Sequence, residues 1–313
     1  ADLGAQQALF ESLKLALQAD VARLYFLVRQ ADAELEVVRE AIRFRRESLR
    51  ILERRLAAGD IGELDVVRAR SELANARTDA LDLERTRAQF EHALALLLGR
   101  APAAFTLAPA RLPAAPPPVP AGLPSALLER RPDVAAAERR LAAANARIGV
   151  AKAAFYPLLN LTADAGLAAG DIGELFKWSA RTWTLGPLAA TLVTLPIFDG
   201  GRNRANLERA EAALAEETAS YRQTVLGAVT EVEDALVGLR TLGAQTDTVR
   251  VSQDTAARAV SIAQRRYDAG ATGDLDVIDA QREALDIERR QQQIAGARLV
   301  TTVALIRALG GGW

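Results

Sequence analysis

The sequence predicts a mainly α protein with a small β part, in which long coiled-coil hairpins form a two-fold internal repeat. Three observations predict it. Apolar residues hold an alternating three- and four-residue spacing over stretches longer than compact folds need. One stretch switches to alternation with a period of two. The segment around Gly59 recurs, without a gap, 211 residues later around Gly270.

Taken in order, the region from about Leu3 to Ala57 reads as one helix. Val21, Leu24, Val28, Ala31, Leu35, Val38, Ile42, Leu49, Leu52 and Leu56 make its heptad seam, broken by Arg45. At 1.5 Å per residue it spans about 80 Å. The helix stops at Ala58-Gly59-Asp60-Ile61-Gly62, where two glycines are expected to supply the positive φ that helix ends favour. A second helix runs from about Glu63 to Leu98 and closes an αα-hairpin.

Residues 101–122 are rich in Pro, including Pro116-Pro117-Pro118, and read as an extended linker. A short helix around Pro124 to Glu129 follows, then a helix from about Pro132 to Ala154, with Pro132 suited to its first turn. Leu159, Leu161, Ala163, Ala165 and Leu167 then alternate with polar or small residues, as a strand with one apolar face requires. Lipid can cover that face in a membrane barrel, and so can a soluble sheet's core; alternation alone leaves both open. Residues 168–181 form a polar loop with Trp178, and a second strand runs from about Thr182 to Thr194, interrupted by Gly186-Pro187. Trp183 or Trp178 suits a headgroup belt or a buried core equally. After Pro196-Ile197-Phe198-Asp199-Gly200-Gly201 a helix of roughly 100 Å extends from about Arg204 to Asp268, and a last one from about Asp274 to Leu309. Val225, Val229, Val232, Leu236 and Leu239 continue the seam.

The repeat is explicit. Arg54-Arg55-Leu56-Ala57-Ala58-Gly59 aligns with Arg265-Arg266-Tyr267-Asp268-Ala269-Gly270, and Gly62-Glu63-Leu64-Asp65-Val66 with Gly273-Asp274-Leu275-Asp276-Val277. Ala69 matches Ala280, Glu72 matches Glu283, and Leu98-Gly99 matches Leu309-Gly310. A register held over this span signals duplication. The copy of the tip hexapeptide at Gly170 to Leu175 falls outside the register and reads as coincidence. The parts are a first long-helix hairpin (1–100), a Pro-rich linker with a short helix (101–131), a helix (132–157), two strands with a loop (158–196) and a second hairpin (197–313).

Composition narrows the function. Lys plus Arg number 39 against 40 Asp plus Glu, a balance that argues against a nucleic-acid binder. There is no Cys for disulfides or thiolate metal sites, and the single histidine, His92, has no zinc-ligand or triad partner nearby in sequence. No phosphate-binding glycine loop follows a strand, so an enzyme is not expected, nor any cofactor or metal. No run of about 18 apolar residues occurs, so a membrane crossing would have to use a closed β-barrel. The chain holds no Met and opens at Ala1 inside helical sequence, with no signal peptide ahead of it; the expectation is a processed product or a fragment. Symmetry of the halves predicts two further strands ahead of Ala1.

Leu123-Pro124-Ser125-Ala126-Leu127-Leu128-Glu129-Arg130-Arg131-Pro132-Asp133-Val134, with Ala137-Glu138 and Ala146-Arg147-Ile148-Gly149-Val150-Ala151, resembles the central signature of outer-membrane efflux proteins of the TolC/OprM type, in their NodT-like lipoprotein branch. Phe155-Tyr156-Pro157 resembles that family's approach to its first strand, and Leu195 to Arg202 its exit into the long helix. The resemblance covers essentially the whole chain. It implies a trimer whose helices form a tapering periplasmic α-barrel and whose strands, four per protomer, form one transmembrane β-barrel. Two strands, the first helices and a lipidated Cys of the family pattern are missing here.

The resemblance further implies an exit duct in the bacterial outer membrane, extending into the periplasm. Drugs or other small molecules would pass from periplasm to exterior, with a periplasmic adaptor and an inner-membrane pump of the RND type as partners. It places the adaptor-docking tips at Arg55, Gly59, Gly62, Arg266, Gly270 and Gly273. It places a periplasmic gate at Leu275 and Asp279, one turn apart on one helix face, where three copies would form an apolar and an acidic ring. The alternatives are a periplasmic adaptor, whose lipoyl-like sequence has no counterpart here, and a soluble coiled-coil scaffold, which leaves the strands and repeat unexplained. A duct needs detergent and runs as a trimer; a scaffold does not.

Overall fold

A computed structural model describes residues 2–113, 130–160, 165–168, 182–185, 192–194 and 198–311. Its helices are α1 (Asp2–Ala57), α2 (Glu63–Leu97), α3 (Pro132–Ala153), α4 (Arg202–Asp268) and α5 (Asp274–Ala308). Each begins and ends within two residues of the span read from the sequence. At 56 and 67 residues, α1 and α4 are about 84 and 100 Å long. The expected helix around Pro124 to Glu129, the loop with Trp178 and the Gly170 hexapeptide lie outside the described residues. In the linker, a 3-10 turn at Pro102–Ala104 precedes irregular chain as far as residue 113.

The strands β1 (Leu158–Asn160), β2 (Ala165–Ala168), β3 (Thr182–Leu185) and β4 (Leu192–Thr194) form two antiparallel pairs, β1 with β4 and β2 with β3. Leu158 stands opposite Thr194 and Ala165 opposite Leu185. Four residues, 161–164, separate the ladders on one side and six, 186–191, on the other, so the register moves by two. The interruption expected at Gly186-Pro187 falls in that stretch, outside the described residues.

The chain divides into two compact units. One comprises Ala1–Gln7 and Ala136–Thr224. Within it α3 buries Ala136, Ala137, Ala143 and Ala144. Asp199 caps α4: its carboxylate accepts the N–H groups of Gly201 at 2.9 Å and Asn203 at 2.8 Å. Those two hydrogen bonds hold its pKa below the ordinary carboxylate value. Asn203, itself buried, donates to the Ala154 carbonyl at 3.1 Å and ties the start of α4 to the end of α3. The motif after the second strand is thus a helix start.

The other unit comprises Ala8–Ala135 and Val225–Trp313. Its α1 seam is buried at Leu24, Val28, Ala31, Leu35, Val38 and Leu52, and α2 buries a stripe of Val66, Ala69, Leu73, Ala76 and Ala80 at the same three-four spacing. Leu52, Val66 and Ala69 cluster near the turn with Leu49, Leu56 and Ile61; Val232, Ala235, Leu305, Ala308 and Leu309 cluster between α4 and α5. Arg131, 5% exposed, donates to the Ala308 carbonyl, Asp133 and Glu231 at 2.9, 2.7 and 2.8 Å, so the turn before α3 is bound to α4 and α5. The linker is bound to the first hairpin by Arg29, which donates to the Ala108 carbonyl at 2.7 Å, and by Arg87, which donates to that of Leu107 at 2.6 Å.

Candidate functional site

The two hairpin tips are built identically. α1 ends with Asp60 N–H on the Arg55 carbonyl and Gly59 N–H on Leu56; α4 ends with Ala271 N–H on Arg266 and Gly270 N–H on Tyr267. This is the Schellman arrangement, which needs a left-handed residue at its pivot. Gly59 (φ 79°) and Gly270 (φ 69°) supply it. The expectation that the second tip glycine also takes positive φ is corrected: Gly62 has φ −85° and Gly273 φ −80°, extended values open to any residue. Both are the N-caps of the returning helices, where the chain passes from extended to helical, and neither receives a side-chain cap. A side chain at either would meet nothing within 4 Å. Neither backbone conformation nor crowding within the chain accounts for glycine at these two positions.

The tips touch asymmetrically. The Arg55 guanidinium lies 5.5 Å from the Tyr267 ring centroid and donates to the Tyr267 hydroxyl. Its repeat counterpart Arg266 is exposed, and the residue at the repeat position of Tyr267 is Leu56, which has neither a π face nor a hydroxyl.

Leu275 and Asp279 project from the first turns of α5, Leu275 at 45% exposure and the Asp279 side chain at 62%. Arg282, one turn further on, stands 4.0 Å from Asp279 and 3.5 Å from Glu72 on α2. Glu72 is also 3.6 Å from Arg45, the residue that breaks the α1 seam. A chain of alternating charges, Asp279, Arg282, Glu72 and Arg45, therefore runs from α5 across α2 to α1. Sequence reasoning missed Tyr267, Arg282 and Glu72 as members of this site. The i,i+3 spacing of Asp279 and Arg282 was a usable signal; the contacts between repeats left none. Among the described residues no three Asp, Glu or His side chains gather as a metal site, and no helix is long and apolar enough to cross a membrane.

The family model described as outer membrane efflux protein matches residues 1–100 and 123–311, and the chain belongs to that family. It is 37% identical over 302 residues to the outer membrane protein OprJ of Pseudomonas aeruginosa, covering 96% of this chain and 62% of OprJ. It is 38% identical over 303 residues to SrpC of Pseudomonas putida, a solvent efflux pump outer membrane protein, covering 96% of this chain and 64% of SrpC. The solved outer-membrane channel OprN superposes with a TM-score of 0.88 at 34% identity, over 99% of this chain and 69% of OprN. The chain thus spans less than two thirds of the length of these two curated relatives.

Proposed function

We propose that the protein is the exit duct of a tripartite efflux assembly, a trimer in the outer membrane whose long helices enclose a water-filled conduit through the periplasm. The observation that carries this reading is the set of large apolar side chains which one chain leaves exposed along its long helices: Phe44 on α1, Leu64 and Val67 on α2, Leu226, Val251 and Ile262 on α4. Large apolar side chains left exposed in this way suit association with further copies. Closure in threes supplies the missing partner surface. The paired strands suit one protomer's share of a membrane barrel, which alone satisfies backbone hydrogen bonds in lipid without helices.

In this reading the tips face the periplasm. Three copies of Leu275 narrow the conduit and three copies of Asp279 surround it with carboxylates, favouring cations. Arg282 and Arg55 set the resting positions of α5 and α4 through Glu72 and Tyr267, and a partner that breaks these contacts widens the opening. Gly62 and Gly273 leave bare backbone at the tips, where a periplasmic adaptor can approach; a pump of the RND type completes the assembly. The relatives' functions, solvent efflux by SrpC's pump among them, support small-molecule cargo.

Expression of the full-length protein in a bacterium lacking its own efflux channel, with adaptor and pump present, tests this reading. Restored ethidium export is expected. Ethidium retention at the level of the channel-deficient strain despite correct outer-membrane assembly would count against it.

A further inference from the structure

Ion pairs run in register along one flank of the first hairpin, and one rung is wrong. Arg39 of α1 pairs with Glu84 of α2 at 2.8 Å, and Glu53 of α1 with Arg70 of α2 at 2.8 Å. The second pair lies two heptads further along α1 and two heptads back along α2, as an antiparallel ladder requires. The rung midway between them sets Arg46 opposite Arg77. Both are exposed, and among the described residues no carboxylate pairs with either. Their neighbours on α1 are answered, Arg43 by Glu40 and Arg50 by Glu47. Like charges at facing positions repel, so this rung weakens the hairpin unless an anion bridges it.

The duplicated scaffold does not require these arginines. At the positions of Arg43, Arg46 and Arg77 the second repeat carries Asp254, Ala257 and Glu288, and α4 and α5 form the same hairpin.

Arg46 also borders a groove of about 620 Å³. Arg39, Ile42 and Arg43 continue its α1 wall, and Pro109, Ala110 and Arg111 of the docked linker make the other. At 1.5 Å per residue the three α1 arginines span about 10 Å. Two carboxylates line the groove, Asp32 and Glu36. Asp32 is engaged by Arg29, Arg87 and the Ala110 N–H, which leaves Glu36 against four guanidiniums. The rest of the linker brings no anion: residues 112–128 hold no charged side chain, and Pro113 already stands beside Thr246, Val249 and Leu299 of α4 and α5.

We propose that this groove binds a soluble oligophosphate, one phosphate bridging Arg46 and Arg77 and the next reaching Arg39, Arg43 and Arg111. Guanidinium forks match phosphate oxygens in pairs, and arginines on successive turns match a ligand with several charged groups in a row. Ile42 and Pro109 offer little apolar wall to the side chains of an acidic peptide, and the linker wall keeps a bilayer face out.

Calorimetric titration of the full-length protein in detergent, at about 150 mM salt to screen loose attraction, tests this. Tripolyphosphate should bind saturably. Orthophosphate and dihexanoyl phosphatidic acid, with one phosphate each, should bind at least tenfold more weakly. Arg46→Glu completes the ladder opposite Arg77, as Glu53 does opposite Arg70. It should melt no lower than wild type and bind tripolyphosphate at least tenfold more weakly; Arg77→Gln should bind at least fivefold more weakly. Arg250→Gln removes the same charge at the second-repeat position of Arg39 and should stay within twofold of wild type. No saturable binding, undiminished binding by Arg46→Glu, or an equal loss in Arg250→Gln overturns the proposal. Tighter binding of the phosphatidic acid than of tripolyphosphate also overturns it, and gives the arginines to a lipid headgroup.

Discussion

Arg55, in the last turn of α1, reaches across to Tyr267, in the last turn of α4, stacking on its ring and donating to its hydroxyl although the two lie 212 residues apart. The pair joins the tips of the two hairpins. Tyr267→Phe keeps the ring and removes the acceptor, a loss of about 1 kcal/mol in a locally opening segment. Amide exchange around both turns should quicken about fivefold while the helix centres stay unchanged. Unaltered exchange at both tips would mean that the contact does not hold them together.

The tip glycines divide by cause. Gly270→Ala forces an L side chain into the left-handed region and should cost about 1 kcal/mol, measurable by denaturant unfolding. Gly273→Ser meets no such strain and can cap α5, so stability should hold or rise by a few tenths of a kcal/mol. Adaptor capture on immobilised trimer should nonetheless weaken at least threefold for Gly273→Ser and for Gly62→Ser. Full capture by both Ser variants would remove these glycines from the docking surface.

Acid sensitivity is expected at the turn before α3. Burial alone would push the Asp133 carboxyl up, but hydrogen bonds and charge from Arg131 outweigh it and hold the pKa below the usual value. A pKa depressed in the folded state contributes stability above the unfolded-state value, about 4, which is lost as pH falls through the folded one. Melting followed from pH 7 to pH 3 should therefore fall more steeply below about pH 4 in wild type than in Asp133→Asn. Parallel curves would show that the Arg131 pairing is not linked to folding. Arg131→Met, which strands two carboxylates, should cost about 3 kcal/mol, the low end for a broken buried pair because Glu231 and Asp133 reach solvent.

At the start of α4, Asp199→Ala removes the acceptor for two main-chain N–H groups. Exchange of the Gly201 and Asn203 amides should then quicken, with the middle of α4 unaffected. Continued protection of both amides would mean that the carboxylate is not the cap.

What was legible in the sequence follows from range. The α1 seam obeys a local period, so Leu24, Val28, Ala31, Leu35 and Val38 could be named as core before any fold was known, and all five are buried. Duplication made the tips legible too, because Gly59 and Gly270 announce each other. Contacts between elements left no periodic trace. Arg131 finds Glu231 100 residues away, and Glu72 joins α1 to α5 through two arginines. Gly62 misled for a different reason: glycine composition reports that a side chain is absent, not whether backbone or neighbour requires its absence. Arg45, read only as a break in the seam, turned out to be the half-buried end of the charge chain that begins at Asp279.

In the proposed duct, copies of this chain enclose water and the first turns of α5 set the narrowest point. Single-channel recording of the full-length protein in planar bilayers, wild type beside Asp279→Ala, tests it most directly. Wild type should show a small cation-preferring conductance, and Asp279→Ala a larger, less selective one. No conductance from either protein, or the same conductance and selectivity from both, contradicts it.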